Sequence, residues 1–280
     1  MKLIDSGAFA NCSILNKVTF EGAEPPAVEG EPFAGVKKNR CAVYVPAKTV
    51  KAYRESNELW NDFIFAMPVS ATNKFVSFCS DVDFTSRQFN GTKWVDPSAI
   101  KMYWANKSKN NDPTYLSLSM TDDKETFTIP AGFGLVMKTS SEGGSGYIFM
   151  PPVGASHKAV LIEENNMLKG VTELTQMGPI VEAHPENKYY ILDHPNYPNT
   201  FVRIKDLQLS AGRAYLEMPT SLGASEAKIM VTLEDETDGI LLINSDEQNA
   251  NGSIYDIQGR KVENPTKGIY IVNGKKVVMK

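Results

Sequence analysis

The sequence predicts a mainly β protein: a short repeat array closed by a helix, then a β-sandwich or barrel-like domain, then a small C-terminal β module. Three observations predict this fold. Near the N-terminus, one unit of small residues followed by a short strand is written twice. The middle holds many short alternating strands between turn signals, and the tail ends in glycine-bounded strands. We therefore expect three domains, at residues 1–67, 68–222 and 223–280.

The composition is that of an ordinary globular protein. At 280 residues the chain is long enough for two or three small domains, and a 42% hydrophobic content can build their cores. The formal net charge of −4 gives no electrostatic reason to expect nucleic acid or an anionic membrane as a partner. No run approaches the roughly 18 apolar residues of a membrane span. We expect no transmembrane segment and no nucleic-acid partner.

The chain has three cysteines, Cys12, Cys41 and Cys79. An odd number without close spacing argues against a disulfide framework and against a zinc site. Cys12 and Cys41 lie at corresponding edges of the two repeat units. We interpret them as small core residues, and a bridge between them stays open as an alternative.

The repeat consists of two β-type runs, at residues 17–20 and 42–45, each preceded by small residues around an aromatic ring. Such a unit cannot bury its own apolar face, so it needs a neighbour and a cap. Residues 46–54 predict a cap helix that starts near Pro46, with Val50 and Tyr53 on one face. The aromatic side chains that follow can seal the open end of the array; they are Trp60, Phe63 and Phe65.

The residues of the first unit carry a resemblance to a known family. Residues 7–13 read GAFANCS, and Leu15 and the VTF of residues 18–20 follow. This segment resembles the repeat of BspA-type leucine-rich-repeat proteins, which are surface proteins of Bacteroidetes and some other microbes. The segment from Val45 to Phe63 resembles the terminal repeat of that family. The second unit departs from the pattern, because KKNR at residues 37–40 replaces the usual Cys-Ser-x-Leu, and we interpret it as a degenerate capping repeat.

The resemblance covers about a quarter of the chain and implies a cellular location. It predicts an extracellular or outer-cell-surface protein. Because the chain enters the repeat in the middle of a unit, we expect an upstream signal peptide and further repeats. We also expect a monomer.

The central region contains a short internal sequence repeat, called the echo below, in addition to its short strands. Residues 129–137, IPAGFGLVM, match residues 209–218, LSAGRAYLEM, and each follows a pair of strands. The Ala-Gly pair predicts a tight turn in which glycine takes a positive φ. We interpret the region as two related three-strand halves of one β domain. The echo resembles an arrangement found in secreted Bacteroidetes proteins. This resemblance implies no particular activity.

The tail alternates polar stretches with short strands. Residues 225–236 and 244–251 read as linkers or exposed loops, and Asn273-Gly274 predicts a two-residue hairpin. Residues 252–280 resemble the C-terminal β module of Bacteroidetes secreted proteins. In some relatives that module is a sorting signal, which implies sorting or surface anchoring here.

The sequence contains none of the common catalytic patterns. HExxH, GxSxG, a Walker loop and GxGxxG before a helix are all missing from the sequence. The three histidines are not spaced as ligands on a helix, and Asp193-His194 reads as an exposed pair beside a turn. Asp81 and Asp83 would share a face, but calcium needs more oxygen ligands nearby. A glycosidase carboxylate pair cannot be selected, because its spacing is spatial. We expect no enzyme, no metal and no cofactor.

Three aromatic residues are the candidate binding residues: Trp94, Tyr103 and Trp104. Exposed, they would form a platform on which a sugar or a peptide stacks; buried, they are core. Trp104 is the one beside a polar loop, at residues 106–111. The sequence favours an exported, non-catalytic protein that binds a protein or host surface in an adhesion-like way. A carbohydrate-binding accessory module of a polysaccharide-use system is the alternative.

Overall fold

The computed structural model describes residues 1–71, 74–95, 100–105, 115–120, 127–140, 143–155, 158–159, 166–192, 196–197, 199–222, 228–233, 241–242, 254–256, 261–262, 267–272 and 275–279. These residues belong to two compact units, Met1–Leu233 and Glu234–Lys280. The part described is mainly β, as the sequence predicts.

Strands account for most of the regular structure. In chain order they are β1 Leu3–Ile4, β2 Lys17–Thr19, β3 Ala27–Val28, β4 Ala42–Tyr44, β5 Ile64–Ser70, β6 Phe75–Phe78, β7 Phe84–Thr85, β8 Gln88–Phe89, β9 Trp94–Val95, β10 Ile100–Ala105, β11 Tyr115–Met120, β12 Phe127–Ile129, β13 Leu135–Thr139, β14 Ser145–Met150, β15 Lys158–Ala159, β16 Leu168–Val171, β17 Thr175–Gln176, β18 Asn187–Ile191, β19 Thr200–Ile204, β20 Gln208–Leu209, β21 Arg213–Pro219, β22 Lys228–Leu233, β23 Leu241–Leu242, β24 Ile254–Asp256, β25 Lys261–Val262, β26 Gly268–Val272 and β27 Lys275–Met279. The helices are α1 Val50–Ser56 and α2 Met177–Ala183, with short 3₁₀ helices at Lys38–Arg40, Glu58–Asp62 and Thr220–Leu222.

The first 45 residues form two stacked coils. Strand β1 pairs in parallel with β3, and β2 pairs in parallel with β4, so partners lie 24 or 25 positions apart. Between these strands the rings of Phe9 and Phe33 stack at 4.9 Å with planes 5° apart. The two coils therefore lie side by side, with one aromatic ring of each in contact.

Helix α1 begins at Val50, later than the predicted start at Pro46. The reason is Lys48, whose φ of 64° is left-handed and incompatible with the helix. The predicted buried face is confirmed, because Val50 and Tyr53 are both buried. Trp60 follows in full burial, with its ring 6.0 Å from that of Phe33.

One seven-stranded sheet joins the coils to the central region, in the order β15-β12-β7-β14-β5-β4-β2. Strand β5 pairs in parallel with β4 on one side and antiparallel with β14 on the other. The strand that follows the coils is therefore also a strand of the central region.

A nine-stranded sheet contains the two predicted halves, in the order β16-β21-β18-β19-β22-β11-β10-β13-β6. Read inward from each edge, the first half runs β6-β13-β10-β11 and the second runs β16-β21-β18-β19. Each half therefore has four strands and not the three predicted, because β6 and β16 also belong to them. The two halves have the same topology, with β22 between them. The Ala-Gly turns of the echo also agree with the prediction, because Gly132 and Gly212 have φ of 82° and 84°.

One face of this sheet forms a single apolar cluster that includes Phe75 near one edge and Leu168 at the other. The sheet must curl for both edges to reach the same cluster. An isolated bridge between Phe133 and Lys169 also links the two ends. All the sheets of the described residues nevertheless remain open, so the barrel-like alternative is not seen.

The outer faces of the two halves are covered differently. The first half packs on the coils and the seven-stranded sheet, with Leu135 and Met137 in the shared core. The second half is covered by α2 and its neighbours, with Met177 and Tyr189 in a smaller cluster.

Several elements were not predicted, and two of them bear on the predicted architecture. The segment at residues 225–236 is not simply a linker, because its residues 228–233 are β22, paired with β11 and β19. Helix α2 is the other, since Gly178 and Pro179 interrupt any helical pattern in its first turn. No helix in the described ranges is long and apolar enough to cross a membrane.

The unit Glu234–Lys280 contains a five-stranded sheet, in the order β23-β27-β26-β24-β25. Strands β26 and β27 pair antiparallel with Val272 opposite Lys275, as a two-residue hairpin requires. The predicted turn residues, 273 and 274, lie outside the described residues.

Candidate functional site

An aromatic face lies on the side of the seven-stranded sheet that points away from the main core. We define it by four residues: Tyr44, Trp94, Tyr147 and Phe149. The Tyr44 ring is 4.9 Å from that of Tyr147 and 6.2 Å from that of Phe149, while Trp94 is 6.3 Å from Phe149. These edge-to-face contacts hold the rings in one array.

Strand alternation places these side chains together. Tyr44 lies opposite Ala66, and Ala66 lies opposite Phe149, so the three residues share one face. Their chain neighbours Val43 and Phe65 point into the main core instead. Tyr147, two positions before Phe149, is 44% exposed and offers the most accessible ring of the four.

A positive charge borders the aromatic face. The Lys17 Nζ lies 4.2 Å from the centroid of the Tyr44 ring, within cation–π distance. Burial, and after it the neighbouring Tyr147, raises the pKa of Tyr44. Its phenol therefore stays protonated at neutral pH and can donate a hydrogen bond.

The hairpin of β8 and β9 brings Trp94 to this face. Asn90 shapes its turn, because its Oδ1 accepts hydrogen bonds from the backbone N–H of Thr92 and of Lys93. Trp94 lies opposite Phe89 in the hairpin and remains half-buried.

The three predicted binding residues lie in different surroundings. Trp94 belongs to the aromatic face. Tyr103 is fully buried in the cluster inside the curled sheet. Trp104 is half-buried against the main core, and its Nε1 finds no hydrogen-bond partner among the described residues. The polar loop at residues 106–111 lies outside the described residues.

The two halves of the nine-stranded sheet meet at Cys79 and Gly170. These two residues occupy equivalent positions in the pairing of β6 with β13 and of β16 with β21. The Cys79 N–H donates to the Gly212 carbonyl at 3.1 Å. A Cβ placed on Gly170 would lie 2.4 Å from the Cys79 Sγ and 2.3 Å from the Gly132 oxygen. Glycine is therefore required at position 170 by close packing.

A cleft lies on each side of this meeting point. The first, which we call the junction cleft, has a volume of about 210 Å³ and is lined by three charged residues from separate parts of the chain, Lys48, Asp81 and Arg213. The second has a volume of about 300 Å³ and lies between the Ala131–Gly132 turn and β16. Its one charged lining residue is Lys169, whose Nζ donates to the Asn166 carbonyl.

The two clefts differ at one echo position. Phe133 in the first half corresponds to Arg213 in the second. Phe133 is buried in the main core, whereas Arg213 is half-buried and lines the junction cleft. This exchange places a charged residue in the junction cleft where the second cleft has an aromatic residue.

The buried thiols do not suit nucleophilic chemistry. Burial raises the pKa of Cys41 and of Cys79 to about 11, so both stay protonated at neutral pH. Cys12 is exposed, contrary to its interpretation as a core residue, and all three cysteines are free.

The remaining titratable candidates do not converge either. His184 forms an exposed pair with Glu186, and His157 and His194 lie outside the described residues. Asp81 and Asp83 lie in the turn after β6, and Asp83 accepts a hydrogen bond from the Ala131 N–H. No group of three or more potential metal ligands occurs within the described ranges.

Tyr44, Tyr147 and the junction cleft were not predicted from the sequence as parts of a site. Alternation along β4 and β14 contained a signal for the tyrosines, since both occupy positions facing away from apolar neighbours. The cleft had no local signal, because its charged residues are far apart in the chain.

Neither a protein-family model, nor a curated protein, nor a solved structure matches this chain.

Proposed function

We propose that this protein is an exported, non-catalytic binding protein that recognises a protein or host surface in an adhesion-like way. The observation that carries the proposal is the aromatic face. Its exposed Tyr147, half-buried Tyr44 and Trp94, and bordering Lys17 are residue types that anchor binding interfaces.

We further infer that the two stacked coils are the end of a leucine-rich-repeat array of BspA type. The parallel pairing at 24 or 25 positions and the stacked Phe9 and Phe33 rings support this, as does the buried Trp60 below them. The assignment to the cell surface depends on this resemblance. Detection of the protein on intact cells by antibody, against a cytosolic marker, tests it.

A carbohydrate ligand is the second candidate. Exposed tyrosine and tryptophan rings stack against the apolar faces of sugar rings, and the neighbouring Lys17 and Thr19 can hydrogen-bond to hydroxyls. Lys17 and Thr19 are both exposed on β2, which has no second strand partner among the described residues.

Binding to a glycan array and to an array of secreted proteins separates the two candidates. We expect Tyr147→Ala and Trp94→Ala to weaken binding about tenfold each, because each removes a stacking anchor. Tyr197→Ala is the matched control, since Tyr197 is 38% exposed outside the aromatic face.

The outcomes are distinct. Binding that survives both face variants unchanged would show that the site lies elsewhere. Absence of glycan binding would remove the carbohydrate candidate, and glycan binding that is lost in neither Trp94→Ala nor Trp104→Ala would show that these tryptophans do not form the carbohydrate site. Detection of catalytic turnover of any bound ligand would contradict the proposal that the protein is non-catalytic.

A further inference from the structure

The outer face of strand β21 carries a carboxylate whose charge is not balanced by a neighbouring cation. Glu217 is half-buried on this strand, and its Oε1 accepts hydrogen bonds from the Asn187 Nδ2 at 2.7 Å and from the Tyr189 hydroxyl at 3.3 Å. Within the described ranges no basic side chain lies at ion-pair distance from Glu217. Two neutral donors therefore hold the carboxylate in place and leave its negative charge available.

The second oxygen of this carboxylate is open. Among the residues that the structure describes, no hydrogen-bond donor contacts the Glu217 Oε2. This atom is also not one of the unpaired polar atoms that are shielded from water, so it is accessible to solvent. An incoming cation could therefore contact Oε2 without breaking either hydrogen bond at Oε1.

An aromatic ring flanks the carboxylate. Tyr215 lies two positions before Glu217, so both side chains point to the outer face of β21. Tyr215 is half-buried, and its ring lies 5.9 Å from that of Tyr189. Burial, and after it the charge of Glu217, raises the pKa of both tyrosines, so the carboxylate lies close to both phenols. A cation at Glu217 would therefore also lie near the Tyr215 ring, where a cation–π contact adds to the ion pair.

The first half of the sheet has apolar core residues at the same positions. In the echo, Tyr215 and Glu217 correspond to Leu135 and Met137, which are fully buried in the core shared with the coils and the seven-stranded sheet. The outward residues of β21 stay half-buried. A face that serves as an internal interface in the first half is thus partly open and negatively charged in the second.

The geometry at Glu217 favours one kind of cation. A guanidinium binds a carboxylate best through two parallel hydrogen bonds, one to each oxygen, but Oε1 already accepts two. An ammonium group is a compact charge that a single oxygen can hold. The apolar stem of a lysine can also lie along the Tyr215 ring while its charged end reaches the carboxylate. A lysine side chain therefore fits this site better than an arginine.

We propose that Glu217 and Tyr215 bind a lysine side chain on the surface of a partner protein. The lysine ammonium contacts the Glu217 Oε2, and the lysine stem lies along the Tyr215 ring. The assignment of this lysine to a protein rests on the proposed protein-binding function.

Titration of the full chain with Nα-acetyl-L-lysine methylamide tests the site, with binding followed by NMR at low salt. We expect saturable millimolar binding that added salt weakens, and no binding of the same compound acetylated at Nε, which has lost its charge. Glu217→Gln keeps the shape of the side chain and should weaken binding about tenfold or more. Glu173→Gln is the matched control, because Glu173 is an exposed glutamate of the same half that lies outside β21.

Tyr215→Leu should weaken lysine binding about threefold, because leucine covers the stem but offers no π face to the charge. Equal binding of the Nε-acetylated compound, or an unchanged affinity in Glu217→Gln, would overturn the inference. Tighter binding of the arginine analogue would overturn the choice of an ammonium group over a guanidinium.

The array of secreted proteins separates this site from the proposed function. Acetylation of the lysines of the arrayed proteins and Glu217→Gln should each weaken binding of the same proteins about tenfold. If proteins bind and neither change matters, the inference fails and the proposed function stands. If the lysine compound binds but no protein does, the protein-binding function fails, and the assignment of the lysine to a protein fails with it.

Discussion

The two halves of the nine-stranded sheet share one topology but present different outer faces. On the inner face, Tyr103 and Tyr190 occupy equivalent positions, and both are fully buried in the same cluster. The residues one position before these tyrosines lie on the outer face. There, Met102 lies opposite Met137 in the first half, and Tyr189 lies opposite Glu217 in the second. The inner residues agree because both halves point into one shared core.

The outer residues differ because different structures cover them. The seven-stranded sheet and the coils cover the first half, and they require apolar partners such as Met137. The seven-residue helix α2 covers less of the second half, so Glu217 stays half-buried and accepts hydrogen bonds from Asn187 and Tyr189. A repeated unit can therefore keep its topology while its outer surface follows its local neighbours.

Gly170→Ala should have the largest effect, because it adds a Cβ where the halves meet. We expect a loss of about 3 kcal/mol or more in the free energy of unfolding, since the Gly132 backbone cannot move freely. Gly22→Ala is the control: its Cβ would meet nothing closer than 3.6 Å, so the change should stay within about 0.5 kcal/mol. Urea unfolding followed by tryptophan fluorescence measures both, because Trp60, Trp94 and Trp104 all lie in Met1–Leu233. Equal losses would show that the halves do not pack as described.

Phe133→Ala and Arg213→Ala compare the same echo position in the two halves. Phe133 is 8% exposed, so its truncation should cost about 3 to 5 kcal/mol. Arg213 is half-buried in a cleft, and its truncation should cost about 1 kcal/mol or less. The same urea experiment measures both variants. A larger loss for Arg213→Ala would reverse the contrast between an apolar and a polar outer face.

The Tyr189–Glu217 pair predicts an effect that is confined to alkaline pH. Burial first, and then Glu217, raises the pKa of Tyr189 from its ordinary value of 10.0 to about 12. Between these values the unfolded chain has lost the proton and the folded chain retains it. The contribution is therefore fully present below pH 10 and is lost as the pH rises toward 12.

Ultraviolet titration of tyrosinate measures this pKa as the difference between the protein and Tyr189→Phe. Glu217→Gln should lower the pKa of Tyr189, because it removes the neighbouring negative charge but leaves the burial. An unchanged Tyr189 titration in Glu217→Gln would show that the carboxylate does not act on the phenol.

Much of the fold could be predicted from local pattern. Alternation located most of the central strands, and the Ala-Gly echo identified both the two halves and the positive φ of Gly132 and Gly212. Strand β22 and helix α2 were not predicted. Strand β22 lies in a polar stretch that resembles a linker, and Gly178-Pro179 interrupts the helical pattern of α2. For the site, Trp94 was a predicted candidate and lies on the aromatic face, whereas Tyr44 and Tyr147 were not singled out.

The sequence alone determined which residues share a strand face and where the chain turns, because alternation and glycine geometry are local. Tertiary structure decided which of those faces meet water. The period of a strand places Tyr103 and Trp104 on opposite sides, but only packing buries Tyr103 completely and leaves Trp104 half-buried. It also decided the junction cleft, because Lys48, Asp81 and Arg213 come together only when the coils and both halves of the sheet pack against one another.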